Sequence, residues 1–298
     1  MLFNFPHLGE TLSLACAFVW AIAIIFFKRS GESVSPLGLN LFKNVVGLTF
    51  LISTTIILGE TFIVKASPGD YLLLFASGVI GIGLADTFFF RSLNLIGAGL
   101  TAIVDCLYSP FVIGLSILFL GESMSGLQLV GVLLIISAIL AISLQKNIKS
   151  VSRQNLLRGI LLCVFSVALM AIGIVMVKPL LNRSPLLWVV MVRLLAGCLS
   201  LGLIISFCSD RQKITASLVS LKNWRFMLPG SFLGAYLALI LWIAGMKYTQ
   251  ASTASALNQT SSVFVFIFAA IFLKEPINRI RVIGIILAFA GVIMVCFG

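Results

Sequence analysis

Residues 98–122, AGLTAIVDCLYSPFVIGLSILFLGE, and residues 251–275, ASTASALNQTSSVFVFIFAAIFLKE, decide the fold of this 298-residue chain. Each is apolar over roughly 20 residues, which is the length that a helix needs to cross a lipid bilayer. The two stretches align without a gap at a shift of 153 positions. The same shift pairs Gly81 with Gly234 and Gly131 with Gly284. The chain therefore contains a repeat of membrane-spanning segments.

The composition places most of the chain in lipid. Hydrophobic residues make up 60% and charged residues 10%, against about 25% charged residues in a soluble domain, and the mean hydropathy is +1.19. The apolar runs are continuous, whereas the strands of a membrane β-barrel alternate. We therefore predict an all-α membrane protein with ten transmembrane helices. The spans are predicted near residues 9–27, 37–58, 70–92, 97–119, 125–144, 158–178, 185–208, 225–248, 251–273 and 279–298.

The repeat divides the predicted spans into two sets of five. A first repeat is expected over residues 1–145, a basic linker over 146–157 and a second repeat over 158–298. Near the start of each repeat, a shift of 150 pairs Lys43 with Arg193. Because five is odd, the two copies must cross the bilayer in opposite directions, which is typical of alternating-access transporters.

The net charge of +11 comes mostly from Lys and Arg between the spans. In these positions they indicate topology and contact anionic lipid headgroups, so we expect membrane lipids and no nucleic acid as partners. Only Lys65, Lys178, Arg183 and Lys247 fall on the side of the two termini. The positive-inside rule then predicts that both termini lie outside the cytoplasm.

Nothing in the sequence predicts a metal, a cofactor or a catalytic centre. The single histidine is His7, and the six cysteines are scattered without metal-ligand spacing. A membrane-embedded enzyme is therefore the least favoured alternative. Glu122 and Glu275, at helix junctions, are predicted to cap the tight turns at which they stand.

Four charged residues fall well inside predicted spans, namely Lys43, Asp86, Asp105 and Arg193. Each costs about 2.5–3.5 kcal/mol to insert, so each needs a partner or a function. Asp105 or Asp86 is predicted to bind a coupled proton, with a structural Lys–Asp pair as the alternative reading. Arg193 is predicted to bind a carboxylate of the substrate, because its planar fork fits one. The alternative is that it reaches Asp105 or helix carbonyls.

Polar and aromatic residues at neighbouring depths complete the predicted site. Pro110 frees the carbonyl one turn earlier and so kinks the fourth span. The further candidates for substrate binding or coupling are Asn44, Tyr108, Tyr236, Trp242, Asn258 and Gln259, with Trp20 as a possible lining residue.

Two motifs carry a family resemblance: Phe-Leu-Gly-Glu at 119–122 followed by Gly131, and Phe-Leu-Lys-Glu-Pro at 272–276 followed by Gly284 and Gly291. With them, nearly the whole chain resembles the ten-helix, EamA-type members of the drug/metabolite transporter superfamily. The resemblance implies secondary transport of small molecules without ATP, often outward.

We therefore expect a multi-pass inner-membrane protein that exports small metabolites, such as amino acids or other carboxylate-bearing solutes, by alternating access. Coupling to protons is expected, and the protein is expected to be a monomer or a homodimer. Flipping of a lipid or a lipid-linked substrate is the main alternative, because some relatives in the superfamily resemble that function.

Overall fold

The computed structural model describes residues 7–120, 125–143 and 151–297. Within these ranges the chain forms helices and short connections, with no β-strand. Eight helices are long and apolar enough to cross a membrane, and a shorter apolar helix spans Gly126–Ala141. The prediction of an all-α membrane protein is confirmed.

Ten helical segments of the described residues, named α1 to α10, follow the order of the predicted spans. The first five are α1 (Leu8–Ser30), α2 (Pro36–Ile57), α3 (Pro68–Ile96), α4 (Ala98–Asp105 and Tyr108–Leu120) and α5 (Gly126–Ser143). The second five are α6 (Arg153–Leu181), α7 (Leu186–Phe207), α8 (Leu221–Tyr248), α9 (Ala251–Asn258 and Thr260–Phe272) and α10 (Arg279–Phe297). A short helix, Arg211–Val219, lies between α7 and α8.

Most predicted bounds differ from these by a few residues. The clearest difference is α6, which begins at Arg153 rather than near residue 158. Its first turn is polar, so hydropathy does not detect it, but the Ser152 hydroxyl caps it by accepting a hydrogen bond from the Asn155 amide at 3.3 Å. The division into 1–145, 146–157 and 158–298 stays a prediction, since part of the linker lies outside the described residues.

Ser-Pro pairs start two of the helices. Ser35 accepts a hydrogen bond from the Gly38 amide at 3.2 Å, and Pro36 takes the first helical position. Ser67 and Asp70 form a reciprocal capping box ahead of α3. Proline suits the first turn because its missing N–H would have no partner there.

Equivalent lysines of the two repeats make equivalent contacts. Lys28 at the end of α1 donates to the Leu93 carbonyl at 3.0 Å, near the end of α3. In the second set, Lys178 of α6 donates to the carbonyl of Met246, which the shift of 153 pairs with Leu93. Each lysine thus stabilises the negative C-terminal end of a helix in its own repeat.

Helix interruptions also recur at equivalent positions. A π-helical segment, Val79–Leu84, interrupts α3, and another, Phe232–Ala238, interrupts α8 at the same repeat position. α4 breaks after Asp105 and α9 breaks at Gln259. Proline does not explain both breaks, since the residue that corresponds to Pro110 in the second repeat is a valine. Such irregular backbone at membrane depth is tolerated where it lines a cavity.

Close helix packing brings the interruptions to the centre of the molecule. A Cβ on Gly78 of α3 would collide with the backbone of Arg193 in α7. The absence of a side chain there lets α7 approach α3 and presents Arg193 to the interior. By contrast, α5 and α10 pack mainly against each other, through Gly131 and Gly291. The remaining eight helices surround the centre.

Candidate functional site

A central cavity of about 130 Å³ lies where the two sets of helices meet. Helices α1 to α4 and α6 to α9 all contribute to its wall. Nine of the ten predicted site residues line it: Lys43, Asn44, Asp86, Asp105, Tyr108, Arg193, Trp242, Asn258 and Gln259. Trp20 lines it as well. The four charges that the sequence placed inside spans therefore face one volume.

Lys43 and Asp86 form a buried ion pair in the wall of the cavity. The Lys43 Nζ lies 2.6 Å from Asp86 Oδ2, and the two residues are 4% and 9% exposed. Lys43 also donates to Asn44 Oδ1 at 3.0 Å and lies over the Phe90 ring. The pair joins α2 to α3 and cancels its own charge.

Asn40 extends this network to the π-helical segment of α3. Its side-chain amide donates to the carbonyls of Ile82 and Gly83 at 2.9 and 3.0 Å, and its Oδ1 accepts from Asn44 at 2.9 Å. The carbonyls that the π-turn displaces are thereby satisfied. Sequence reasoning missed Asn40, although its spacing from Asn44, one helical turn, could have indicated that the two share a face.

The environment of Arg193 differs from that of the paired Lys43. It is 5% exposed, its Nε is buried without a partner, and it makes no hydrogen bond or ion pair within the described ranges. Asp86 and Tyr108 lie close enough to interact with it electrostatically. The alternative hypothesis was that Arg193 binds Asp105 or helix carbonyls. Neither contact is present among the described residues.

Asp105 and Asn258 end the first half-helices of α4 and α9 and occupy equivalent repeat positions. The Asp105 carboxyl makes no ion pair among the residues that the structure describes, so Asp86 is the aspartate that pairs with Lys43. The Asn258 Oδ1 is buried and has no hydrogen-bond partner among the described residues. Gln259 donates to the backbone carbonyl of Asp105 at 2.7 Å, which joins the two helix breaks.

Aromatic rings form much of the remaining wall. The rings of Tyr108 and Trp242 meet edge to face with centroids 5.9 Å apart, and Trp20 lies 6.2 Å from Phe89. Such rings provide rigid apolar surface beside the charged groups.

Tyr236 does not line the cavity, which corrects its predicted position. Its hydroxyl shares a hydrogen bond of 2.6 Å with the Thr54 hydroxyl, and its ring packs on Phe50 and Phe232. These contacts turn the side chain towards α2, while its neighbour Ala235 faces the cavity. The π-helical geometry around Tyr236 is not visible in a hydropathy pattern.

Glu275 caps a helix other than the expected one. Its carboxylate accepts hydrogen bonds from the amides of Ala98 and Gly99 at 2.7 and 3.0 Å, at the start of α4 in the other repeat. The prediction that it caps its own turn is wrong, because the carboxylate reaches across to the free amides of α4. Glu122 lies outside the described residues.

The described residues include no group of three or more His, Cys, Asp or Glu side chains that could hold a metal ion. The cavity instead offers a neutralised pair, Lys43–Asp86, and two single groups of opposite sign, Arg193 and Asp105. These single groups are suited to bind a small charged solute and a proton.

Comparison with known proteins identifies the family of this chain. The model of the EamA-like transporter family matches the chain twice, over residues 7–144 and 157–297. The chain belongs to the EamA-like transporter family. This EamA-like protein is also similar to an uncharacterized transporter of Archaeoglobus fulgidus, with 24% identity over 291 residues that cover 95% of this chain and 96% of that protein.

A solved crystal structure superposes on this EamA-like chain with a TM-score of 0.71. The alignment covers 96% of this chain and 95% of the other at 15% identity, so it supports the fold alone. Together with the family match, the helices identify a multi-pass inner-membrane transporter.

Proposed function

We propose that this EamA-like protein is a secondary active exporter of small carboxylate-bearing metabolites, such as amino acids, which works by alternating access with proton coupling. The observation that carries the proposal is Arg193, a buried guanidinium that lines the central cavity and makes no ion pair with any residue that the structure describes.

A buried cation without a partner is costly, and the cost is removed when an anion binds. A carboxylate matches the guanidinium in both geometry and charge, since it accepts two parallel hydrogen bonds. The cavity volume of about 130 Å³ suits a small solute rather than a macromolecule. The neighbouring rings of Tyr108 and Trp242 would contact the apolar part of that solute.

Asp105 is the better candidate for the proton than Asp86. Asp86 is held by Lys43 at 2.6 Å, and protonation of Asp86 would leave the lysine charge buried without its counter-ion. Asp105 faces the same cavity and makes no ion pair with a cation in the described parts of the chain. Both of its charge states are therefore accessible during a transport cycle, at the point where α4 is interrupted.

The test compares cells that overproduce the unmodified protein, Arg193→Gln, Arg193→Lys and Arg91→Gln, with intracellular and extracellular metabolites measured by mass spectrometry. Arg91 is exposed on α3, so Arg91→Gln controls for the loss of one membrane-embedded charge. We expect the unmodified protein to raise the external level of particular carboxylates. Arg193→Gln should lower that export about tenfold to a hundredfold, the effect of losing a charged hydrogen-bonded contact.

Arg193→Lys should recover only part of the activity, because a lysine cannot form the two parallel hydrogen bonds. Export that is unchanged in Arg193→Gln would contradict the proposed role of this residue. If overproduction moved no soluble metabolite but accelerated movement of a fluorescent phospholipid across vesicle membranes, lipid flipping would replace the proposal.

A further inference from the structure

A second, much smaller cavity adjoins the central one. Its volume is about 10 Å³, and its wall shares Trp20, Phe89 and Asp105 with the central cavity. The rest of its wall comes from α1, the first half-helix of α4 and the start of the second half of α9. Asp105 therefore stands on the boundary between the two cavities.

The small cavity has a polar side chain that lacks a partner. Ser262 lines it, is 1% exposed, and its hydroxyl makes no hydrogen bond within the described part of the chain. The Cys106 thiol donates to the Ala102 carbonyl at 3.5 Å and also lies within interaction distance of the Ser262 hydroxyl. Ser261 and Thr101 add two further hydroxyl-bearing residues to the wall.

The volume and the chemistry of this cavity match one water molecule. A cavity with a volume of about 10–15 Å³ holds one water molecule, provided that polar groups are present to bind it. The Asp105 carboxyl and the Ser262 hydroxyl supply an acceptor and a group that both donates and accepts.

We propose that the small cavity is a hydration site, in which one water molecule bridges Asp105 and Ser262 and carries the proton to and from Asp105. The proposal rests on the assignment of Asp105 as the proton-binding group under the proposed function. In the step itself, a hydronium in the small cavity gives one proton to the carboxylate, which leaves a neutral water and a carboxylic acid. Release is the reverse.

The surroundings of Asp105 contain few other groups that could take the proton. The titratable neighbours are Cys106 and Tyr108 on its own helix and Cys163 on α6, with Cys16 of α1 beyond Tyr108. Asp86 and Arg193 face the central cavity from α3 and α7. From α9, the adjacent residues Asn258 and Gln259 do not titrate.

A separate hydration site has a mechanistic consequence. The carboxyl can change its protonation state from the side of the small cavity while a solute fills the central one. Proton and solute can then occupy the protein together.

The test is infrared difference spectroscopy of the protein in lipid vesicles during a pH change, which requires no knowledge of the solute. The carbonyl band of protonated Asp105 is assigned by its loss in Asp105→Asn. Ser262→Ala removes the proposed water ligand, and Ala102→Val fills the small cavity while keeping the hydroxyl. Ser116→Ala is the matched control, because Ser116 is equally buried, also has an unpartnered hydroxyl and lines neither cavity.

We expect a water O–H band to change together with the Asp105 carbonyl band in the unmodified protein. In Ser262→Ala and in Ala102→Val, the water band should be lost and the carbonyl band should move to higher frequency, since the carbonyl loses a hydrogen bond. Ser116→Ala should leave both bands in place. Unchanged bands in both Ser262→Ala and Ala102→Val would overturn the hydration site.

The outcomes also separate this inference from the proposed function. If Asp105→Asn removed no band, the assignment of the proton to Asp105 would fail and the hydration site would fail with it. If the bands behaved as expected but no carboxylate was exported, the hydration site would stand and the proposed solute would be rejected.

Discussion

Gln259 donates a hydrogen bond from its side-chain amide to the backbone carbonyl of Asp105, over 2.7 Å. The two residues stand at the interruptions of α9 and α4, so this bond joins the two repeats where both helices are irregular. Half-helices that meet near the bilayer midplane are typical of transporter binding sites. The bond therefore ties the geometry of Asp105 to the opposite repeat.

Gln259→Leu should destabilise the protein by about 1–3 kcal/mol, because the buried carbonyl of Asp105 loses its side-chain donor in a place that water reaches poorly. The measurement is the thermal unfolding midpoint of the purified protein in lipid nanodiscs. Gln154→Leu, at an exposed position in the first turn of α6, is the control and should leave the midpoint unchanged. Equal midpoints for both variants would show that the bond between the repeats contributes nothing measurable.

Lys43→Met should lower the yield of folded protein strongly, since the Asp86 carboxylate then remains buried without its cation. Breaking one partner of a buried pair costs about 3–5 kcal/mol, whereas replacing both partners by apolar residues is often close to neutral. The double variant Lys43→Met/Asp86→Leu should therefore fold better than Lys43→Met alone. The check is the monodisperse fraction in fluorescence-detected size-exclusion chromatography.

A double variant that folds no better than Lys43→Met would contradict the structural interpretation of this pair. Transport by the double variant is informative as well. If Asp105 alone carries the proton, acid-stimulated export should persist in the double variant and disappear in Asp105→Asn.

The sequence predicted the spans and the buried charges because both depend on position along the helix axis. Hydropathy locates the ends of a span, and the rise of 1.5 Å per residue places Lys43 and Asp86 at matching depths. Rotation about the axis is harder to predict in an all-apolar helix, and π-helical turns shift it further. For that reason the sequence pattern assigns Tyr236 to the cavity and misses Asn40. Tyr236 lies within one π-helical segment, and Asn40 contacts the other.

Glu275 shows a second limit of structure prediction from the sequence. Its place in a Glu-Pro pair predicted a cap, but the helix that it caps begins at Ala98, in the other repeat. A pattern of neighbouring residues favours a local partner, and only the packing of α4 beside the α9–α10 connection reveals the distant one. The free amides at a helix start can donate to any carboxylate within reach.

Glu275→Ala should destabilise the start of α4 by about 1–3 kcal/mol, because the amides of Ala98 and Gly99 lose charged hydrogen bonds. Hydrogen–deuterium exchange with mass spectrometry should show faster exchange in peptides that begin near residue 98. Glu60→Ala, at an exposed position between α2 and α3, provides the control. Uniformly faster exchange over the whole protein, without a local increase near residue 98, would argue against the specific cap.

The orientation of the chain can be decided with a C-terminal reporter. Basic residues are concentrated on the side opposite the termini, among them Lys222 and Arg225 in the first turns of α8 and Lys274 between α9 and α10. Segments rich in basic residues stay in the cytoplasm. Both termini should then lie outside, so a C-terminal alkaline phosphatase should be active and a C-terminal green fluorescent protein should be dark. The reverse pattern would mean that the charge asymmetry does not set the topology. As an internal check, the same reporters inserted after Ser209, in the connection between α7 and the short helix Arg211–Val219, should give the opposite signals, because three helices (α8, α9 and α10), an odd number, separate this connection from the C-terminus.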